Sequence, residues 1–386
     1  MRIVIFKSLG IRDYHFHITR KCSQTGARAG VYTTPHGKFH TPAFMPVGTC
    51  GAVKTVTPLE LQQAGAEIIL ANALHLYLRP GLKVIEQFGG VRAFMRYAGP
   101  LLTDSGGFQI FSLAKLRRVY ADKVVFHSPF DGSRHILTPQ QIWQIQQKLG
   151  VTIAMQLDEC VGGDASRSAT SQALTRTQQW AEQSFCLAQQ GSKQAGPELF
   201  PIIQGGRFLD LRRQSADFCA QLPTSGLAVG GLAVGESKVA FQRVLAGLAP
   251  HLPTAKIHYL MGVGDPQDIL FAVTQGIDLF DCVLPTRLAR HGVFLAQTGG
   301  KINLRQARFR TADQVLQKDC PCLTCQTGFT QGYLRHLFNI REPLAARLLT
   351  LHNLQWLLGF LRTIQQQIRQ GTFPDFVRNF QRKEIY

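Results

Sequence analysis

The sharpest chemical signal in the chain lies near its carboxyl end. Cys320-Pro321-Cys322-Leu323-Thr324-Cys325 sets three thiols in a C-x-C-x-x-C knuckle, and His352 follows 27 positions later. Three thiolates and one imidazole suit a tetrahedral zinc ion, and a shell filled by four protein ligands is structural rather than catalytic. Three thiols within six residues would be an odd use of a reduced core, so the spacing predicts one structural Zn2+ per subunit. His336 lies near enough in sequence to compete with His352 for the fourth place. Cys22, Cys50, Cys186 and Cys219 have no such company and read as small core residues. His15 and His17 fall on one strand face without a partner at ligand spacing, so they read as surface residues.

Three carboxylates form the second signal. Asp104, Asp158 and Asp281 each end a short apolar run, and Asp104 is followed by Ser105-Gly106-Gly107-Phe108, where bare glycine backbone lets a ligand come close. Two carboxylates facing one substrate serve glycosidic chemistry, one as nucleophile at the sugar carbon and one as proton donor or acceptor. Gly226-Leu-Ala-Val-Gly-Gly-Leu-Ala-Val-Gly235 is the most glycine-dense stretch. It reads equally as tight packing or as a loop whose N–H and C=O groups meet the edge of a planar base.

These residues need elements to hold them. Seven apolar runs end at a polar residue or glycine: Ile68–Ala71 at Asn72, Leu101–Thr103 at Asp104, Ile153–Leu157 at Asp158, Phe200–Ile203 at Gln204, Leu227–Val229 at Gly230, Tyr259–Met261 at Gly262 and Ile277–Phe280 at Asp281. Helical segments lie between several of them, two opened by the capping sequences Thr57-Pro-Leu-Glu60 and Thr138-Pro-Gln-Gln141. Buried-type strands alternating with helices predict a parallel sheet. A polar residue or glycine at each of these strand ends favours its closure into a (β/α)8 TIM barrel, whose site gathers at that rim. No GxGxxG or Walker loop is present. The expected division is an N-terminal antiparallel β segment over 1–53, an α/β barrel over 54–300 and a basic, helical, zinc-binding part over 301–386.

Composition narrows the partner. The 386 residues carry 42 Lys and Arg against 24 Asp and Glu, a formal charge of +18, and 45% are hydrophobic. This composition excludes a disordered or collagen-like chain. From Arg287 to Tyr386 there are 15 Lys and Arg against 5 Asp and Glu, so more than half the excess sits in the last quarter. An excess of this size points to a polyanion, nucleic acid first. No apolar run reaches the length of a membrane span, and the start, MRIVIFKSLG, is too short for a signal peptide, so a soluble cytoplasmic protein is expected.

Together the motifs name a family. Thr41-Pro-Ala-Phe-Met-Pro-Val-Gly-Thr49, Leu78-Arg-Pro-Gly81, Thr103-Asp-Ser-Gly-Gly-Phe-Gln109, Asp158-Glu-Cys160, Gln204-Gly205, Gly230-Gly-Leu-Ala-Val-Gly-Glu236, Tyr259-Leu-Met-Gly-Val-Gly264 and Asp281-Cys-Val-Leu-Pro-Thr-Arg287 run in order before the cysteine knuckle. Over nearly its whole length the chain resembles the bacterial-type tRNA-guanine transglycosylases. That resemblance implies replacement of the wobble guanine in tRNAs with a GUN anticodon by 7-aminomethyl-7-deazaguanine (preQ1), a step of queuosine biosynthesis, without strand breakage. It implies that Asp281 attacks the ribose anomeric carbon and that Asp104 accepts the proton of the incoming base. Ser105, Gly106, Gly107, Asp158, Gln204 and the backbone of Gly231 and Leu232 would line the base, with Phe108 and Met261 against its faces. Gly262, Val263, Gly264, Asp265, Pro266, Gln267 and Asp268, with Thr286, Arg287, Leu288, Ala289 and Arg290, match the segments that hold a U-G-U anticodon loop. Cys320, Cys322, Cys325 and His352 match the zinc ligands, and a homodimer is implied.

The chain also departs from the pattern. It reads Ala71-Asn-Ala-Leu-His-Leu76, Met155-Gln156-Leu157 and Val161-Gly-Gly-Asp164 where the family usually differs. Cys160 and Val234 match the preQ1-accepting form, while the altered segments leave queuine as an alternative base. A non-catalytic RNA-binding subunit would have lost Asp281 or Asp104, and a metal-dependent barrel hydrolase would need histidine or carboxylate ligands at the strand ends. The sequence fits neither.

Overall fold

The computed structural model describes residues 14–112, 116–190 and 196–382. Its centre is a closed parallel barrel. The strands run in order Ala43–Pro46, Ile69–Asn72, Leu101–Asp104, Ile153–Met155, then Glu198–Phe200 with Ile202–Ile203, then Gly226–Val229, Ile257–Leu260 and Leu279–Cys282. Each pairs in parallel with the next. Leu279 returns to Ala43, and a bridge from Val47 to Leu70 completes the ring. The fifth strand is broken at Pro201, which has no N–H to give, though its carbonyl still accepts from Ala228 N at 2.8 Å.

Alternation along these short strands sorts the core into two layers. Met45, Leu70, Leu102, Met155, Phe200, Ile257, Tyr259 and Leu279 fill the barrel, while Phe44, Ile69, Leu101, Ala154, Leu227 and Phe280 face the surrounding helices. The antiparallel sheet His15–Lys21, Arg28–Thr34 and Gly37–Thr41 adds Phe16, Tyr32 and Phe39 to the inner layer and so plugs one end. A buried ion pair between Arg28 Nη2 and Asp278 Oδ2, 2.6 Å long, ties plug to barrel. His15 and His17 stay exposed with stacked rings 6.4 Å apart, as expected.

Both expected capping boxes form. Thr57 and Thr138 accept from the N–H three residues on, and Glu60 and Gln141 reach back to them, opening Pro58–Ala64 and Pro139–Leu149. Two features differ from the sequence reading. The strand Ala43–Pro46, left there with the amino-terminal segment, is the barrel strand that closes the ring. A three-stranded antiparallel sheet, Arg117–Val119, Val124–His127 and Arg134–Leu137, stands between the third and fourth barrel strands, where none was expected. Among the lone cysteines only Cys219 is fully buried. Cys22 and Cys186 are half-buried and Cys50 is exposed, because Cys50 lies in the turn that Gly51 makes with φ of 78° just beyond the first barrel strand.

Beyond the barrel, the helix Pro343–Gln370 packs back on it. Gln365 Nε2 donates to the Pro42 carbonyl at 2.9 Å, and Asn353 donates to the Pro285 carbonyl at 3.0 Å while accepting from Leu295 N at 2.9 Å. Among the described residues no helix is long and apolar enough to cross a membrane.

Candidate functional site

The strand ends do converge. A cavity of about 380 Å³ opens at the carboxyl rim of the barrel, lined among others by Asn72, Asp104, Asp158, Gln204, Gly231 and Asp281. Parallel register makes the meeting unavoidable: Asn72 lies beside Asp104 on the adjacent strand, and Asp281 lies near the end of the eighth, Leu279–Cys282.

Asp104 accepts from Asn72 Nδ2 at 2.6 Å, Gln109 Nε2 at 3.1 Å and the Ala73 N–H at 3.3 Å. These donors favour its ionised form, yet burial outweighs them, and with the nearby Asp281 charge it pushes the carboxyl up to about 7. Asp281 is held on a single oxygen, which accepts from Tyr259 Oη and from Gly262 N, both at 2.7 Å. Burial raises it as well, against the pull of those two donors. Asp158 is pushed up to about 6 by burial, and accepts from Gln204 Nε2 at 2.7 Å and from Ser105 Oγ at 3.3 Å.

The glycines after Asp104 have separate jobs. Gly106 adopts φ of 83°, and a Cβ on Gly107 would stand 2.2 Å from Asp158 Oδ1. The long glycine run serves both readings offered for it. Gly226 is packing, since a Cβ there would stand 2.2 Å from the Phe200 ring, whereas Gly230 and Gly231 form the cavity wall. Among the described residues Gln204 Oε1 is buried without a hydrogen-bond partner, an acceptor left for a ligand's donor. Phe108, 52% exposed, and the half-buried Met261 complete the lining with Leu232, Cys160 and Val234.

Sequence reasoning missed one group behind that wall. Arg212, on the helix Leu209–Gln221, is wholly buried and donates to the carbonyls of Gly206 at 2.6 Å, Gly230 at 3.0 Å and Gly231 at 2.8 Å. A helix-face arginine carries no sequence mark that tells it from a solvated one. Asn72, Tyr259 and Gln109 stood inside quoted motifs but had no role there.

The segments expected to hold RNA meet the rim only in part. Gly262 and Arg287 are exposed and line the cavity, and Arg290 donates to Thr286 Oγ1 at 3.2 Å. Val263, Gly264, Pro266, Thr286 and Ala289 are buried within the fold. Asp265 and Asp268 are paired with Lys301 at 2.6 Å and Lys238 at 3.2 Å. Of the three segments set apart in the sequence, Met155–Leu157 and Val161–Asp164 do not line the cavity, whereas Ala71–Leu76 reaches it through Asn72; Gln156 instead donates to the Thr177 carbonyl at 3.5 Å.

The cysteine knuckle forms a separate centre. Sγ of Cys320, Cys322 and Cys325 lie 3.7, 3.6 and 3.6 Å from Nδ1 of His352, and all four residues are buried. A tetrahedron with metal–sulfur and metal–nitrogen bonds of about 2.3 and 2.1 Å has S···N edges of about 3.6 Å. His352 Nε2 meets the Leu295 carbonyl at 2.9 Å, which turns Nδ1 toward the sulfurs. The exposed His336 takes no part. This is a Cys3His group able to hold a metal ion.

Comparison with known proteins agrees with this geometry. A family model described as queuine tRNA-ribosyltransferase matches residues 22–385. Curated proteins called queuine tRNA-ribosyltransferase are similar along almost the whole chain. The one from Dictyoglomus turgidum is 44% identical over 95% of this chain and 93% of its own length. Those from Thermosynechococcus vestitus and Solidesulfovibrio magneticus are 45% and 47% identical, over 96% and 91% of this chain and 97% and 93% of their own.

Proposed function

The chain belongs to the queuine tRNA-ribosyltransferase family, and from that premise we propose that it exchanges the wobble guanine of tRNA for preQ1 through a covalent bond to Asp281. The observation that carries this reading is the sharing of one cavity by two separately held carboxylates, Asp281 and Asp104, with the Asp158–Gln204 pair. An oxygen of Asp281 bonds the anomeric carbon as the bond to guanine N9 breaks, and the electron pair leaves with the base. Asp104 in its acid form gives that base a proton. The incoming base then loses its N9 proton to Asp104 and displaces Asp281 as carboxylate. One glycosidic bond replaces another, so no energy source is needed.

Base selection follows from donor and acceptor types. A carboxylate can accept from both N1–H and the 2-amino group of guanine, which suits Asp158, and Gln204 Oε1 offers a further acceptor. Phe108 and Met261 flank the ring, and Cys160 and Val234 shape the end where a 7-substituent would lie. Arg287 and the exposed Gly262 flank the mouth, where bases on either side of a U-G-U loop would pass. Zinc is the ion that three thiolates and one imidazole fit best. A second copy of the chain completes the working homodimer, each subunit formed by the amino-terminal sheet, the barrel from Ala43 onward and the basic carboxyl-terminal part.

Labelled guanine and unmodified tRNA provide the test, with preQ1 and queuine as competitors. Incorporation blocked by preQ1 supports the proposal, and incorporation blocked only by queuine makes this a salvage enzyme. Asp281→Ala should abolish incorporation; exchange at the normal rate would refute the nucleophile.

A further inference from the structure

We infer that Arg212 is a positioning residue that holds two consecutive backbone N–H groups, those of Gly231 and Leu232, as a preset site for the negative charge on the departing base. This rests on the base-exchange reading above. The guanidinium fork grips two successive carbonyls, Gly230 at 3.0 Å and Gly231 at 2.8 Å, from the helix side of the wall. Both peptides are trans, so each N–H points opposite to the carbonyl it shares a plane with. With the carbonyls drawn toward Arg212, the N–H groups of Gly231 and Leu232 face the other way, and both residues line the cavity.

Those N–H groups find no acceptor among the described residues, while the next two, Ala233 and Val234, are already taken by the Glu236 carboxylate. Donors without protein partners in a cavity wall are left for a ligand. Gly231 has φ of 61°, and a Cβ there would stand 2.3 Å from Gln204 Oε1, so only glycine permits the turn. The third Arg212 bond, to the Gly206 carbonyl at 2.6 Å, fixes the neighbouring loop that follows Gln204. One side chain thus locks both walls that meet the base.

Its charge matters too. No carboxylate hydrogen-bonds Arg212 among the described residues, although Glu236 lies near enough to favour the charged form. Burial lowers the guanidinium only to about 10, so it stays protonated at neutral pH. When the glycosidic bond breaks, the electron pair spreads over guanine onto its 6-oxygen. With Asp158 accepting from N1–H and the 2-amino group, that oxygen is the acceptor left for a pair of donors. Donors already aimed at a developing charge stabilise it without reorganising, and the positive end behind them strengthens each one.

The test uses Arg212→Lys, which keeps the charge but cannot grip two carbonyls at once. Guanine is compared in the exchange assay with the competing base 2-aminopurine, which lacks the 6-oxygen and also N1–H, the second loss being the same in wild type and variant. The preference for guanine should shrink about 10-fold or more in the variant, with KM for tRNA unchanged. An unchanged preference, or equal changes in both constants, overturns the inference. If the variant does not fold, hydrogen exchange on the wild-type protein decides. Guanine should protect the amides of Gly231 and Leu232, and 2-aminopurine should not. Protection by both or by neither overturns it. A wild-type protein without any exchange activity would instead overturn the base-exchange reading itself.

Discussion

Asp281 and Asp104 share a cavity but meet different donors, and in the proposed exchange that difference divides their work. Asp281 has one oxygen tethered by Tyr259 and Gly262, which leaves the other for the bond to the sugar that the proposal requires. Asp104 has both oxygens engaged by neutral N–H groups, so it can gain or lose a proton without moving. Its carboxyl stands at about 7, which makes acid and base forms equally available near neutrality. Below that pH the protonated form predominates and covalent bond formation is favoured; above it the ionised form predominates and uptake of the new base is favoured. Because guanine-for-guanine exchange uses both halves, its rate should be bell-shaped with a maximum near pH 7 and fall on either side. A rate that is flat from pH 5.5 to 8.5 would remove Asp104 from proton transfer. Asp104 and Asp281 were legible as strand-end carboxylates, because apolar runs that stop at an acid are conspicuous. Arg212 was not, because its role lies in three backbone carbonyls from two distant loops.

At the scale of elements, short parallel strands place the chemistry and short turns let a ligand in. The helix Pro343–Gln370 has a different task. It brings His352 to the sulfurs at one point and Gln365 to the first barrel strand at another, so the metal centre and the barrel share one rigid rod. Cys322 also caps the helix Leu323–Gln326, its Sγ accepting from Cys325 N at 3.4 Å. Cys322→Ser should therefore lower bound metal, the proposed zinc, read by metal analysis, and the melting temperature together; full occupancy would contradict the ligand set. The capping boxes and most strands could be read from sequence because each depends on residues close in the chain. The closing strand Ala43–Pro46 could not, since its four residues resemble a continuation of the preceding hairpin until Leu279–Cys282 pairs with them.

For the molecule as a whole, a charge of +18 supplies long-range attraction to a polyanion, and the cavity mouth supplies the address. Arg287 stands exposed at that mouth on the helix Leu284–Arg290, so its charge is free to meet phosphate or base. Arg287→Ala should raise KM for tRNA without altering metal content. It should also flatten the dependence of log KM on log salt by about 0.7, the share of one contact to a single strand. An unchanged salt slope would place Arg287 outside the RNA interface.

Family, barrel and metal ligands were within reach of the sequence because each rests on short ordered strings: the aspartate motifs, the alternation of apolar runs with helices, and the cysteine knuckle. Spacing alone did not separate His352 from His336; the resemblance named His352, and the fold gives the physical reason, since the long helix turns His352 inward while His336 stays exposed on the shorter helix before it. The buried RNA-segment residues and the two free N–H groups in the cavity wall required the fold. Spacing along the chain records which groups are available. Which of them face one another depends on how strands close and helices pack, and that arises only when the whole chain has folded.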